Sequence, residues 1–246
     1  MNRMIPNKLV RLFLIWLVVI LQFSFMVKKE NCIVKKIIAI KPLEVSENYL
    51  YDSLNLSDLG LTRPAFEYAI KGYHYFLASG LIANDMVLSI IDFSLPSNAK
   101  RLFVLDLKNK MLLFNTYVAH GKNSGKQMAV QFSNKPSSYK SSLGFYITSG
   151  TYRGKHGYSL RLLGEEAGIN DKAAQRAIVM HAAAYVNEKM IRSQGYIGRS
   201  EGCPALPVQE HRAIIEKIKN GSTLFMYSPD SYYLTHSTIL KSFQES

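Results

Sequence analysis

The sequence predicts an α+β, β-dominated fold: a curved sheet or sandwich, a helical segment packed on it from the N-terminal side, and a helix after a glycine-rich loop. Three observations carry this expectation. Short apolar, β-branched runs recur from residue 86 onward and are divided by Gly, Ser and Asn turns. Ahead of them, residues 49–85 place apolar side chains at helical spacing. Behind them, Pro207 opens a second helical stretch that closes at Asn220-Gly221.

Taken in order, residues 12–27 form an almost unbroken apolar run after a basic start, so residues 1–28 read as a signal sequence or membrane anchor. The cleavage pattern that follows is poor, which favours an uncleaved anchor. The run is short for a spanning helix unless it extends back past Arg11. Residues 29–48 are polar and lysine-rich and read as a tether. Within 49–85, Thr62 suits an N-cap and Pro64 a first turn, Phe66, Ile70, Tyr73 and Leu77 share one stripe, and Gly80 stops the helix. Such a stripe packs against a sheet.

Strands are expected at 86–93, 101–107, 111–119, 128–132, 144–148 and 159–163, with Lys108-Asn109-Lys110 turning one hairpin. A short helical turn at 173–176 precedes the apolar run Ile178-Val179-Met180-His181. After the helix from Pro207 to Lys219, residues 223–227 return as a strand. The catalytic-type domain spans 86–228, and 229–246 read as a loosely held polar tail. There is no internal repeat.

Of the net charge of +12, residues 1–41 contribute seven. The basicity therefore bears on membrane topology, and with no nucleic-acid motif in the chain a nucleic-acid partner is not expected. Apolar residues at 48% and charged residues at 20% mark an ordinary globular chain. The two cysteines define no disulfide framework, since Cys32 lies beside the apolar run and Cys203 far from it.

Chemistry concentrates in residues 178–206. Cys203 sits between Gly202 and Pro204, an irregular backbone unsuited to a core strand. His181 ends an apolar run, where a buried strand reaches an edge. A thiol and a distant histidine are the minimum for thiolate catalysis, the imidazole taking the proton before the sulfur attacks an acyl carbon. The backbone from Glu201 to Cys203 could aim N–H groups at the developing oxyanion.

The spelling Gly198-Arg199-Ser200-Glu201-Gly202 also matches a serine-hydrolase elbow, but that elbow needs a helix straight after the serine, where Pro204 and Pro207 fall. His120, His156, His181 and Glu201 lack metal-ligand spacing, so no metal or other cofactor is expected. If 199–203 run extended, Arg199, Glu201 and Cys203 share a side, and an Arg199–Glu201 pair would keep the charge beside the thiol near zero.

These residues resemble the L,D-transpeptidase (YkuD-type) family, and most of all its divergent murein branch, where the motif ends Gly-Arg-Ser-x-Gly-Cys-Pro-Ala. Val118-Ala119-His120-Gly121-Lys122-Asn123-Ser124-Gly125, Ser141-Ser142-Leu143-Gly144-Phe145-Tyr146 and Gly154-Lys155-His156-Gly157-Tyr158-Ser159-Leu160 are similar to that branch as well. The resemblance covers about residues 61–227. Ala182 stands where the family usually has glycine, and Glu201 where most of it has a second histidine.

The resemblance implies Cys203 as nucleophile, His181 as general base, Ser200 as a positioning residue and the N–H groups near Gly202 and Cys203 as the oxyanion site. It also implies that His120 and His156 line the cleft, with Arg199 and Glu201 near substrate. Peptidoglycan stem peptides are the implied partners, met on the extracytoplasmic (periplasmic) face of the envelope by a domain anchored through its N-terminal segment. The alternatives are an L,D-carboxypeptidase, with water as acceptor, and a non-catalytic peptidoglycan-binding domain.

Overall fold

The first described element is a helix, α1 (Glu44–Ser53), followed by a second, α2 (Arg63–Ser79), in a computed structural model that describes residues 44–243. The apolar run at 12–27, most of the tether and the last three residues lie outside the described residues. Among those described, no helix is long and apolar enough to cross a membrane. Helix α1 begins at Glu44, inside the stretch expected as tether, so the tether ends earlier than 48, and residues 49–85 hold the rest of α1, a turn and α2. Thr62 does sit at the N-cap of α2 in extended conformation, but its side chain makes no cap. Its N–H and Oγ1 donate instead to Asp92 Oδ2 at 3.1 and 2.7 Å, pinning the start of the helix to the end of a strand. Gly80 ends α2 in the left-handed region at φ 66°, where glycine is unstrained.

Eight strands follow: β1 (Val87–Asp92), β2 (Leu102–Asp106), β3 (Met111–Thr116), β4 (Gly144–Gly154), β5 (Gly157–Gly164), β6 (Val179–Ala182), β7 (Ala205–Leu206) and β8 (Thr223–Tyr227). They form one sheet in the order β3-β2-β1-β8-β4-β5-β6-β7. Pairing is antiparallel except β1 with β8 and β6 with β7. Ala119, just beyond β3, bridges Ala205 in β7, so the two edges of the curved sheet meet. The expected β-dominated fold is what the chain adopts.

Strands β1, β2 and β8 are buried along their whole length, as their continuous apolar runs require. Helix α2 lays Phe66, Ala69, Ile70, Tyr73 and Phe76 on the sheet. Phe76 meets Phe145 edge-on, and Phe145 stacks on Phe225 with ring centres 4.2 Å apart. Leu77, expected on that stripe, is instead 41% exposed. Helix α4 (His211–Ile218) buries Ile214, Ile215 and Ile218; residues 207–210 form a turn ahead of it. A short α3 (Glu188–Gln194), capped by Asn187, was not expected.

Two expectations are corrected. Residues 128–132 are a loop, because Val130 and Gln131 both donate to the Ser124 carbonyl and Val130 is 65% exposed. The C-terminal segment is not a loose tail. It forms α5 (Ser231–His236) and α6 (Thr238–Lys241), burying Tyr233, Ile239 and Leu240. A buried carboxylate explains the docking: Glu166 accepts from Phe145 N–H at 2.7 Å, from Tyr233 Oη at 3.2 Å and from Ser237 Oγ. Burial raises the pKa of Glu166, so these donors supply the polar contacts that water cannot.

Ending the chain after Ser228 is expected to destabilise it by several kcal/mol, since Tyr233, Ile239 and Leu240 each bury a side chain worth about 1.5–3 kcal/mol. Urea unfolding measures the change. A midpoint equal to that of the full chain would show the segment to be loosely held after all.

Candidate active site

The parallel pairing of β6 with β7 sets the register of the site, because it places His181 opposite Ala205, two positions beyond Cys203. The His181 N–H also reaches the Pro204 carbonyl at 3.4 Å. A strand edge and an irregular loop are thereby joined through backbone geometry, before any side chain acts.

Residues 199–203 bend and do not run extended, and no helix follows Ser200, which disposes of the serine elbow. Ser200 Oγ donates to the Cys203 carbonyl at 2.6 Å and accepts from Gly202 N–H at 3.0 Å. The Gly202 N–H, expected to face an oxyanion, is therefore occupied. Among the described residues the Cys203 N–H has no partner. Gly202 has φ 124°, and a Cβ there would sit 2.8 Å from the Lys140 carbonyl oxygen, so only glycine fits. Ser141 Oγ donates to the Gly202 carbonyl and accepts from Gly121 N–H, both at 3.0 Å, tying the loop to two others.

Cys203 and His181 line one cavity of about 660 Å³, a volume in the usual range for small-molecule sites. Lys155, His156, Arg176, Tyr185, Arg199, Ser200 and Glu201 also line it. The Cys203 thiol donates to the Ala177 carbonyl at 3.6 Å, and Sγ accepts from Val179 N–H at 3.5 Å. Ala177 holds φ 53°, an uncommon conformation for a residue with a Cβ.

Burial pushes the thiol pKa up against the opposing effects of that Val179 N–H and of Arg176. Burial also pushes His181 down. Its Nδ1 lies 2.8 Å from the Ala182 carbonyl, which can only accept, so Nδ1 carries the proton and Nε2 is left as a bare base. Ala182 is not among the residues with positive φ, so alanine is accommodated there. His156, at the tip of the β4–β5 hairpin, stacks on His181 with ring centres 4.1 Å apart.

His120 does not line the cavity. It is fully buried behind it, against Arg101, whose Nη2 is 2.7 Å from His120 Nδ1. A guanidinium only donates, so Nδ1 accepts and Nε2–H donates to the Gly125 carbonyl at 3.2 Å. Arg101 further donates to the Val118 and Leu95 carbonyls. The His120 carbonyl accepts Ser200 N–H at 2.9 Å, so this buried pair supports the thiol loop from beneath. The expected Arg199–Glu201 pair is not formed. Arg199 donates to the Lys122 and Gly125 carbonyls, while Glu201 meets Lys122 Nζ at 3.4 Å.

Sequence reasoning missed Arg101, Arg176 and Ser141. None stands in a spacing that singles it out; the usable clues were that Ser141 opens one of the motifs shared with the family and that Arg176 lies two residues before the apolar run that ends at His181. Among the described residues no three His, Cys, Asp or Glu side chains converge as a metal site.

A family model described as the L,D-transpeptidase catalytic domain matches residues 58–227. Among solved structures the chain is similar to an L,D-transpeptidase from Mycobacterium smegmatis, at 12% identity and TM-score 0.34 over 58% of this chain and 67% of that one. It is similar to an L,D-transpeptidase from Stackebrandtia nassauensis at 14% identity and TM-score 0.36, over 65% and 68% of the two chains. For one from Mycobacterium tuberculosis the values are 13% and 0.34, over 58% of each chain. No curated protein matches by sequence.

The His120 environment predicts acid sensitivity. Burial, with the Arg101 charge second, holds its pKa down to about 3, against about 6.5 in an unfolded chain. Its contribution to stability is complete above the unfolded value and is lost as pH falls toward the folded one, at about 1.4 kcal/mol per pH unit in between. Urea unfolding between pH 7 and 4 should show this slope, and His120→Gln should flatten it. Equal slopes in the two proteins would mean that His120 is already charged in the fold.

Proposed function

Because the chain belongs to the L,D-transpeptidase catalytic domain family, we propose that it acts on peptidoglycan stem peptides through a thioester on Cys203. The observation that supports this most is that Cys203 and His181, from separate segments, line one cavity with His181 Nε2 left unprotonated. His181 takes the thiol proton as the sulfur attacks the amide carbon between the third and fourth stem residues. Negative charge then develops on the carbonyl oxygen, and the unpartnered Cys203 N–H is the donor available to it. Gly202 supplies the backbone turn and Ser200 holds it. When the C–N bond breaks, His181 returns the proton to the departing amine of D-alanine.

An amine of a neighbouring stem next attacks the thioester carbon. Its proton passes through His181 to the leaving thiolate, which restores both groups. No cofactor takes part. His156 packs on the base, while Arg199 and Glu201 stand at the mouth of the cleft where substrate enters. Residues 1–28 would anchor the enzyme in the inner membrane, the stretch from 29 to the start of α1 tether it, and the helices of 49–85 pack on a catalytic domain at 86–228 on the extracytoplasmic side, with the C-terminal helices closing the fold.

At rest both groups are neutral, since burial raises one pKa and lowers the other. Acylation is thus expected to rise with pH over a range displaced above the ordinary thiol one, and to depend on general-base help below it. The test is mass spectrometry of tetrapeptide muropeptides incubated with the purified full chain. Cross-linked products identify a transpeptidase, tripeptides alone an L,D-carboxypeptidase, and unchanged stems a binding domain. Cys203→Ala should abolish turnover and His181→Ala should slow acylation at least about a hundredfold. Release of D-alanine by Cys203→Ala at the wild-type rate would sink the mechanism, and greater damage from His156→Ala would move the base to His156.

A further inference from the structure

Arg176 is the one charge in the cleft whose position is fixed from several sides. Its Nη1 donates to the Ser133 carbonyl at 2.6 Å and to Ser142 Oγ, its Nη2 to the Lys140 carbonyl at 2.6 Å and to Ser138 Oγ at 3.2 Å. All four terminal N–H groups are thereby taken by neutral acceptors. Among the described residues no carboxylate pairs with it. The guanidinium lies directly against the thiol loop, since a Cβ on Gly202 would be 3.4 Å from Arg176 Nη2.

That geometry decides what the residue can do. With its terminal donors occupied, Arg176 cannot offer the two-pronged fork that binds a substrate carboxylate. Its charge remains and acts through space, in a setting where burial weakens the screening that water provides. The other charges facing Cys203 are worse placed. Glu201, on the thiol's own loop, opposes a thiolate, but it is exposed and paired with Lys122. Arg199 is held on two carbonyls. His181 and His156 stack on one another, and burial holds His181 toward its neutral form. Tyr185 is kept a neutral phenol by burial, which raises its pKa to about 12; Tyr146 is likewise raised.

We propose that Arg176 is the electrostatic partner of the Cys203 thiolate, a positioning residue that favours the charged nucleophile by its field and touches no substrate. The proposal rests on Cys203 being the reactive group, and it applies whether acyl transfer ends on an amine or on water. It also answers the departure at Glu201: a positive charge that a second imidazole in the motif would bring to the thiol comes here from behind the loop.

The experiment follows alkylation of Cys203 against pH in the full chain carrying Cys32→Ser, so that a single thiol is present. Iodoacetamide, which is neutral, reports the thiolate fraction. Arg176→Gln should move the curve to higher pH, with about tenfold slower alkylation at a fixed pH on the rising limb, the scale of losing one weakly screened neighbouring charge. It should keep the alkaline plateau. Arg176→Lys should stay close to wild type, and added salt should move the wild-type curve upward more than the Arg176→Gln curve.

An Arg176→Gln curve that overlays wild type would overturn the proposal. So would lowered plateaus in both variants, which mark Arg176 as a structural prop for residues 133–142 and nothing more. D-alanine release by the wild-type chain is read separately. If it is absent while the alkylation shifts appear, the functional reading fails and the role of Arg176 stands.

Discussion

A guanidinium in a protein interior must hydrogen-bond in place, and where Arg101 does so determines how this molecule closes. Arg101 is fully buried, and burial holds its pKa to about 9 against the favourable charge of Asp92. Phe93 packs beneath its plane at 4.9 Å. Its partners are the carbonyls of Leu95 and Val118 and the ring of His120, all on the segments that flank β2 and β3. From there the order propagates: Ala119 N–H reaches Ala205 at 2.8 Å, and Ser200 N–H reaches the His120 carbonyl. The seam between the β3 and β7 edges of the sheet, and the loop that carries the thiol, hang on this buried donor set. Leaving such polar groups unpaired costs about 1–3 kcal/mol each, so loosening the seam is disfavoured from several sides at once.

The cleft above that seam is built on a division between exposed and half-buried charge. Lys122 and Glu201 meet at its mouth with side chains 45% and 66% exposed, where an ion pair contributes little. Arg176 sits deeper and is held by neutral acceptors. Burial favours the neutral forms of the thiol and of the imidazole, and the surrounding backbone, not a preformed ion pair, fixes their relation. The same logic of buried charge recurs behind the sheet, where Glu166 gathers Phe145, Tyr233 and Ser237 and so docks the C-terminal helices onto β4.

Elements with local signals were legible from the chain alone. Continuous apolar runs gave β1, β2 and β8, helical spacing gave the buried face of α2, and Gly80 gave its end. Cys203 between glycine and proline, with His181 at the end of an apolar run, was legible because backbone oddity and residue chemistry coincide there. Other features depend on which donors and acceptors the folded chain brings together. Residues 128–132 alternate like a strand, yet Ser124 takes their N–H groups locally. The polar composition of 229–246 concealed three buried side chains, because the acceptor that anchors them, Glu166, lies far back in the chain. His120 was placed in the cleft by its motif, but Arg101 draws it into the core. Gly202 lost its expected N–H role to the Ser200 hydroxyl, and Glu201 found Lys122 in place of Arg199. For Glu166, Arg101 and Lys122 the deciding contact joins segments whose proximity no local pattern encodes, and at the two buried sites an unpaired polar group is costly enough to override local preference.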